Sequence, residues 1–325
     1  RYVLQLARLE AATAPDRAWK RYEEVLSTRK ALSEEHPRDP EVWVGVASVL
    51  SIMAERLQGQ GRIDEEREYS ARADEAVGRA VALKPDATGK MIKQWSSADA
   101  GKIPSAATRK VFTFKPGVGG VEFKQFADLT ASQGGHLSGV NCSAALTGTD
   151  CAQARIDWLR GDQTKEDPVG PLRKRSKVHG DVISSGPTYD WATKTVYVGA
   201  NDGLLHAIDA ANGKELFSYL PNVLFPKLYK LTQTSYAHDY YVDGEIAVST
   251  SFHTPGKSIL VGALGRGGKG LYALDVTAPS TFSASKVLWE YTDSDLGLVL
   301  GKPMIAKLNN GKAAVIVGNG YNSVA

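Results

Sequence analysis

Five groups of residues in this chain have types and spacings that could carry chemistry. Cys142 and Cys151 share a Gly/Ser/Thr-rich loop. They are read either as a disulfide, which would suit an exported protein, or as two unrelated thiols. Gly265-Arg266-Gly267-Gly268-Lys269-Gly270 satisfies the Gly-x-Gly-x-x-Gly pattern. A dinucleotide site of that kind needs a helix next, whose N-terminal amides hold the pyrophosphate. Leu271-Tyr272-Ala273-Leu274-Asp275-Val276 follows instead and reads as a strand, so a hairpin loop is expected. Ser27-Thr28-Arg29-Lys30 matches Ser-x-x-Lys, but the Ser-Asp-Asn and Lys-Thr-Gly strings of serine acyl-transfer sites do not occur. Arg160-Gly161-Asp162 spells an adhesion tripeptide and is the candidate binding motif, with a structural segment as the competing reading. The histidines (His36, His136, His179, His206, His238 and His253) form no His-x-x-x-His pair, and the cysteines lack zinc spacing. No metal site and no catalytic residue is therefore expected. Asp239 and Asp243, flanking tyrosines, read as turn residues.

These groups must be positioned by three regions of different character. Residues 1–90 are rich in Ala, Glu, Arg and Leu, with apolar residues at helical spacing (Leu4, Leu6, Leu9, then Trp19, Tyr22, Val25, Leu26). Two stretches, 31–37 and 80–85, each run from Ala/Leu-rich sequence into a Pro, and Trp43 opens a further helix. The pattern predicts a helical segment resembling tetratricopeptide repeats, with a plain helical hairpin bundle as the alternative. Residues 91–180 are Gly/Ser-rich and lose periodicity. They read as a connector with a short strand at Val111-Phe112-Thr113-Phe114, a turn at 116–120 and a short helix over 154–161.

Residues 181–325 repeat. Val196-Tyr197-Val198-Gly199 recurs as Ile259-Leu260-Val261-Gly262 and as Val315-Ile316-Val317-Gly318. Each of the first two is followed by an Asp-terminated run, Leu204 to Asp209 and Leu271 to Asp275, and then by a third strand. A strand precedes each as well, near Thr188 and Ile246. Asn-Gly and Asp-Gly dipeptides mark turns that need positive φ. Four short antiparallel strands per unit define a propeller blade, whose two faces are buried only by neighbouring blades. The sequence holds two full blades and part of a third. A closed propeller needs about 4–8, so the chain is expected to stop inside that domain. The fold class expected is therefore α+β and multidomain, with a helical repeat-like segment ahead of an all-β propeller.

The string Ala207-Ile208-Asp209-Ala210-Ala211-Asn212-Gly213-Lys214-Glu215-Leu216-Phe217 looks like the repeat of quinoprotein-like propellers. Further strings resemble the PilY/PilC family of type IV pilus tip and assembly proteins. They are 154–162, Leu172-Arg173-Lys174-Arg175, 180–187, 196–209, Tyr241-Val242-Asp243-Gly244, 265–276 and 318–323. Their order and content match across about residues 108–325. The resemblance implies a non-enzymatic protein of the bacterial cell surface or pilus tip, outer membrane or periplasm. Its expected partners are pilins or minor pilins and a host or abiotic surface. The family's Asp-rich calcium loop lies further downstream, so calcium is assigned to no residue here and no other cofactor is expected. The helical upstream part departs from the family, and Glu245-Ile246 departs from its usual small residue and Pro.

Composition is ordinary for a soluble globular protein. Hydrophobic residues make up 42% and charged residues 23%, and the net charge of +3 calls for no nucleic-acid partner. No apolar run is long enough to span a membrane. Arg173, Lys174, Arg175 and Lys177 form a basic cluster, either a solvated loop or a contact for an acidic surface or pilin. The loops 264–269 and 221–238 are candidate recognition loops, the second with Phe225, Tyr229 and Tyr236 as surface or packing aromatics. The alternative function is a periplasmic quinoprotein oxidoreductase. Such enzymes tend to use a disulfide between adjacent cysteines, which Cys142 and Cys151 are not. A third reading makes the helical part a peptide-binding scaffold.

Overall fold

The computed structural model describes residues 15–35, 53, 81–85, 90–97 and 99–322. The chain divides into two compact units, Arg1–Gly78 with Ser235–His238, and Arg79–Thr234 with Asp239–Ala325. In the first unit, helix α1 spans Pro15–Glu35. Pro fits a first helical position, where its missing N–H would have no partner anyway. Ala18, Tyr22 and Leu26, at a four-residue spacing, are buried. Ser27 and Lys30 of the Ser-x-x-Lys match are exposed. The remainder of the proposed tetratricopeptide pattern, including Trp43, lies outside the described residues.

The second unit opens with a correction. Val81–Pro85, expected to close a helix, is strand β1 and pairs antiparallel with β2, Met91–Ser96. A five-residue run ending in Pro is too short to pay the helix nucleation cost alone, and the pairing partner decides its conformation. Strand β3 (Val111–Lys115) and β4 (Gly119–Glu122) form a hairpin turned by Gly117, at φ 80°. Helix α2 (Ala131–Ser138) follows, with Thr130 and Gln133 making a reciprocal capping box. Helix α3, Gly148–Leu159, begins earlier than the sequence suggested.

The first blade comprises β5 (Thr188–Asp190), β6 (Thr195–Gly199), β7 (Leu205–Asp209) and β8 (Glu215–Leu220). After helix α3's successor α4 (Phe225–Leu231) comes the second blade: β9 (Ile246–Val248), β10 (Ile259–Ala263), β11 (Leu271–Asp275) and β12 (Val287–Tyr291). Strands β13 (Met304–Lys307) and β14 (Ala313–Ile316) form a further antiparallel pair. The meander order is the expected one in both four-strand units. Residues 91–180 are not merely a connector, however. The first sheet has six strands in the order β4-β3-β8-β7-β6-β5, because β3 pairs parallel with β8, Val111 opposite Ser218.

The same turn chemistry recurs at strand ends. Asp190, Asp209 and Asp275 each accept from the backbone N–H two residues on, at 3.0, 2.8 and 3.1 Å. This Asx geometry explains why an Asp closes each of these strands. Gly213, at φ 73°, lies against the Trp95 indole of β2, where a Cβ would come within 2.6 Å. Trp95 in turn donates to Ala210 O at 2.8 Å and packs on Val198 and Ile208, fastening β2 to the first blade.

The blades are joined by aromatic and polar contacts. Phe282 stacks on Phe217 with ring centroids 3.7 Å apart and meets Phe112 edge-on at 5.2 Å. Ile305 of β13 joins Ala247, Val261 and Ala273 of the second blade. Glu290 of β12 accepts from Tyr219 Oη and from the Asn222 backbone N–H, both at 2.6 Å. Burial pushes the Glu290 carboxyl up to about 7, against the pull of those donors. The folded state thus holds this proton more tightly than the unfolded chain does. Its contribution to stability is fullest below the unfolded value of about 4.5 and is lost as pH rises through 7. Wild type is expected to lose about 2 kcal/mol between pH 5 and pH 8 relative to Glu290→Gln, at about 1.4 kcal/mol per pKa unit discounted for partial exposure. Urea unfolding of both proteins at the two pH values measures that difference, and parallel pH profiles would refute the assignment.

Candidate functional site

The strings that carried the family resemblance meet in space. Asn201 Nδ2 donates to Asp181 Oδ2, and Asn201 Oδ1 accepts from the Tyr241 N–H, both at 2.9 Å. Asp243 Oδ1 accepts from the Ser184 N–H at 2.9 Å, and Ser185 Oγ from the Gly199 N–H at 2.9 Å. Asp243 is therefore a buried link between blades rather than an open turn residue, and burial raises its carboxyl. The Gly-rich run 265–270 fits the same joint. A Cβ on Gly267 would sit 1.5 Å from Tyr241 O, so that glycine is required by backbone packing. Strand β11 follows it, and no helix supplies amides for a pyrophosphate.

Arg160-Gly161-Asp162 needs correction as a binding motif. Arg160 caps α3 and is only 2% exposed. Its guanidinium donates to the carbonyls of Phe123, Ala106 and Arg109 at 2.9, 2.8 and 2.7 Å. Burial lowers its pKa, but the three carbonyls compensate its desolvation. Gly161 turns at φ 110°, and Asp162 accepts from the Thr164 N–H at 2.8 Å while its carbonyl accepts from Arg175 at 2.9 Å. An arginine committed in this way cannot reach a receptor carboxylate. Arg160→Ala is expected to cost about 3 kcal/mol by leaving buried carbonyls unpaired, and Asp162→Ala under about 1. Chemical denaturation of the two variants checks this, and equal small effects would restore the surface reading.

The basic cluster also divides. Arg175 is buried, bonded to Glu166 at 2.7 Å and stacked 3.5 Å above Trp158. Burial lowers it to about 10 despite Glu166. Arg173 donates to Leu231 O at 2.8 Å and lies 5.3 Å from the same indole. Lys174 and Lys177 are exposed. Cys142 and Cys151 are joined as a disulfide, with Cys151 buried in the first turn of α3. Closing a loop of this length stabilises the folded state by about 2–3 kcal/mol in the chain-entropy model. Non-reducing mass spectrometry of exported protein is expected to recover the linked peptides, and free thiols there would count against the bond.

The most concentrated chemistry lies where sequence spacing gave no sign of it. Arg109, just before β3, makes a bidentate pair with Glu215 of β8, Nε to Oε1 at 2.7 Å and Nη2 to Oε2 at 2.9 Å. Glu215 Oε2 is 2.7 Å from Nδ1 of His206 on β7. His206 Nε2 lies 3.1 Å from Asp202 Oδ2. Asp202 sits in the turn at Asn201-Asp202-Gly203, where Gly203 has φ 93°. Its oxygens also accept from the N–H groups of Leu204 and Gly180, at 3.1 and 2.9 Å. A Cβ on Gly180 would lie 2.4 Å from Asp202 N, so only glycine permits this approach.

His179 completes the group. Its ring stacks on His206 with centroids 4.1 Å apart, and its Nδ1 lies 2.7 Å from Gly180 O. That bond places the proton on Nδ1 and leaves Nε2 as an acceptor, which is buried and has no hydrogen-bond partner. Burial and the adjacent His206 lower His179 to about 4. Burial would lower His206 too, but Asp202 and Glu215 overcome it and raise His206 to about 9. Burial likewise opposes ionisation of both carboxyls, yet the neighbouring cations hold Asp202 and Glu215 well below the usual range. His179, Asp202 and His206 each offer one ligand atom within 4.8 Å of the other two.

Among the described residues no helix is long and apolar enough to cross a membrane. The structure defines a protein of propeller blades whose buried arginines are bonded to internal acceptors. Residues 180–325 match the family model of the PilY1 beta-propeller domain. The chain is 43% identical to the type IV pilus biogenesis factor PilY1 homolog of Xylella fastidiosa over 53% of its own length and 16% of that protein. It is 38% identical to the type IV pilus biogenesis factor PilY1 of Pseudomonas aeruginosa strain PAK, over 67% of this chain and 21% of that one. The crystal structure of the Pseudomonas aeruginosa PilY1 C-terminal domain aligns at 42% identity over 40% of this chain and 25% of that chain, with TM-score 0.32. Residues 180–325 thus carry a PilY1-type beta-propeller segment, and the chain is similar to proteins named as type IV pilus biogenesis factors. It spans about a fifth or less of the length of these curated relatives.

Proposed function

We propose that this chain serves type IV pilus biogenesis as a binding scaffold of the cell envelope or pilus tip, without catalysis. The observation that carries the reading is the blade match to relatives named as biogenesis factors. The internal use of Arg160, Arg173 and Arg175 supports it, since their bonds are those of a rigid scaffold. Partners in this reading are pilins or minor pilins and a host or abiotic surface.

We place the contact surface outside the loop 221–238. In the loop 221–238, Phe225 is buried edge-on against Phe123 at 6.0 Å, and Tyr236 is buried too. Exposed aromatics lie elsewhere. Trp191, 84% exposed in the β5–β6 turn, meets Tyr189 edge-on at 4.7 Å. Aromatic residues at a rigid hairpin suit a contact surface, because they lose little conformational entropy on binding.

A deletion strain is expected to lose surface pili and twitching, and the complete gene to restore both. The complete gene carrying Tyr189→Ser and Trp191→Ser is expected to restore pili but reduce surface attachment several-fold. Normal piliation in the deletion strain, with quinone-dependent alcohol oxidation by the purified protein, would overturn the reading.

A further inference from the structure

We propose that His179, Asp202 and His206 form a binding site for one transition-metal ion of the zinc class. Two imidazoles and a carboxylate are a donor set that suits Zn2+, with one position of a tetrahedron left over. Metal–ligand bonds of about 2.0–2.1 Å place tetrahedral donor atoms about 3.3 Å apart. The His206 Nε2 to Asp202 Oδ2 separation of 3.1 Å is already close to that value, and all three donors lie within 4.8 Å of one another.

The groups behind the donors are arranged as a metal site requires. A ligating histidine normally passes its other N–H to a carboxylate or a backbone carbonyl, which fixes the ring and the tautomer. His206 Nδ1 faces Glu215 Oε2 at 2.7 Å, and Arg109 holds that carboxylate with two bonds. His179 Nδ1 faces Gly180 O at 2.7 Å. In both rings Nε2, not Nδ1, is therefore the ligand atom. The Nε2 of His179 is the independent observation. It is a buried acceptor without a partner, on a residue 4% exposed, and buried polar atoms are normally satisfied.

An ion would replace the proton between His206 Nε2 and Asp202, and that proton would leave to solvent. The two rings now lie 18° from parallel, so ligation turns the His179 ring until both lone pairs converge. The ion would then staple the segment before the first blade to β7 and its turn.

The test uses the full chain, stripped with a chelator and titrated with zinc chloride. One zinc per chain is expected after dialysis, with a rise in Tm of several degrees and a shift of the His179 and His206 imidazole 15N resonances. His179→Ala leaves the Arg109–Glu215–His206–Asp202 chain intact and is expected to fold, as circular dichroism would show. Its zinc affinity should fall at least about 100-fold, since a lost ligand costs more than the 10–100-fold of a lost supporting bond. His253→Ala should bind as wild type does. Wild-type protein with no bound zinc at micromolar free metal and an unchanged Tm would overturn the proposal. So would His179→Ala with wild-type affinity, which would place the ion elsewhere.

Discussion

The bond that most of the second unit depends on is the bidentate pair between Arg109 and Glu215. Both side chains are essentially out of solvent. Removing one partner of such a pair leaves a buried charge that nothing compensates, so neither residue can be varied alone. The pair also fixes topology. Arg109 stands at the entrance to β3, and Glu215 begins β8, the strand that β3 joins in parallel. Parallel neighbours distant in sequence lack the short turn that sets the register of a hairpin. A charged bond at the start of both strands supplies that register. The chain continues inward through His206 to Asp202 with alternating charge, so each ion is flanked by one of opposite sign. Arg109 also donates to Leu159 O, which ties the end of α3 to the same centre.

Around that centre the blades are interlocked by bonds that no single blade could make for itself. Tyr241-Val242-Asp243-Gly244 lies at the start of the second blade, yet its polar atoms bond to Asn201 of the first and to Ser184 just ahead of it. Glu290 of the second blade bonds back to Tyr219 and Asn222. Phe282 fills the space between Phe217 and Phe112. Aromatic stacking gives attraction over area, whereas the polar links give direction and fix one register. Glycines at 199, 244 and 267 let backbones pass where a Cβ would collide with Val242 O, Ala263 O and Tyr241 O. This is why the recurrent strings are rich in Gly, Asp and Asn. They record the joints between blades more than the strands themselves.

The blades were legible in the sequence because their information is local. Alternation marked the strands, and Asp202-Gly203 and Asn212-Gly213 marked the turns. What stayed hidden was non-local. The β3–β4 hairpin was visible as a short strand and turn, but nothing near it in sequence announces a partner as distant as β8. The strand at Val81–Pro85 was read as helix from composition, and its pairing with β2 overrides that preference. The His179, Asp202 and His206 group was missed because its members come from a pre-blade segment, a turn and a strand. The one local signal was the Gly at 180 beside a His, which marks close backbone approach. Arg160-Gly161-Asp162 was open to two readings. Three letters suggested a surface motif, whereas helix α3 carries Arg160 inward.

Charge therefore has to be counted by location before it says anything about partners. The sequence carries 39 Lys and Arg against 36 Asp and Glu. Arg109, Arg155, Arg160 and Arg175 are all buried and bonded to internal acceptors. Arginine suits that use because its planar fork satisfies several acceptors at once and keeps its charge when desolvated. Part of the basic patch read along the sequence, Arg173 and Arg175, thus becomes internal struts, while Lys174 and Lys177 stay exposed. Other side chains are held outward. In this unit those groups include Tyr189 and Trp191 at a hairpin whose base is pinned by Asp190. A hairpin fixed in that way presents its aromatics in one orientation, and a partner need not order it on contact.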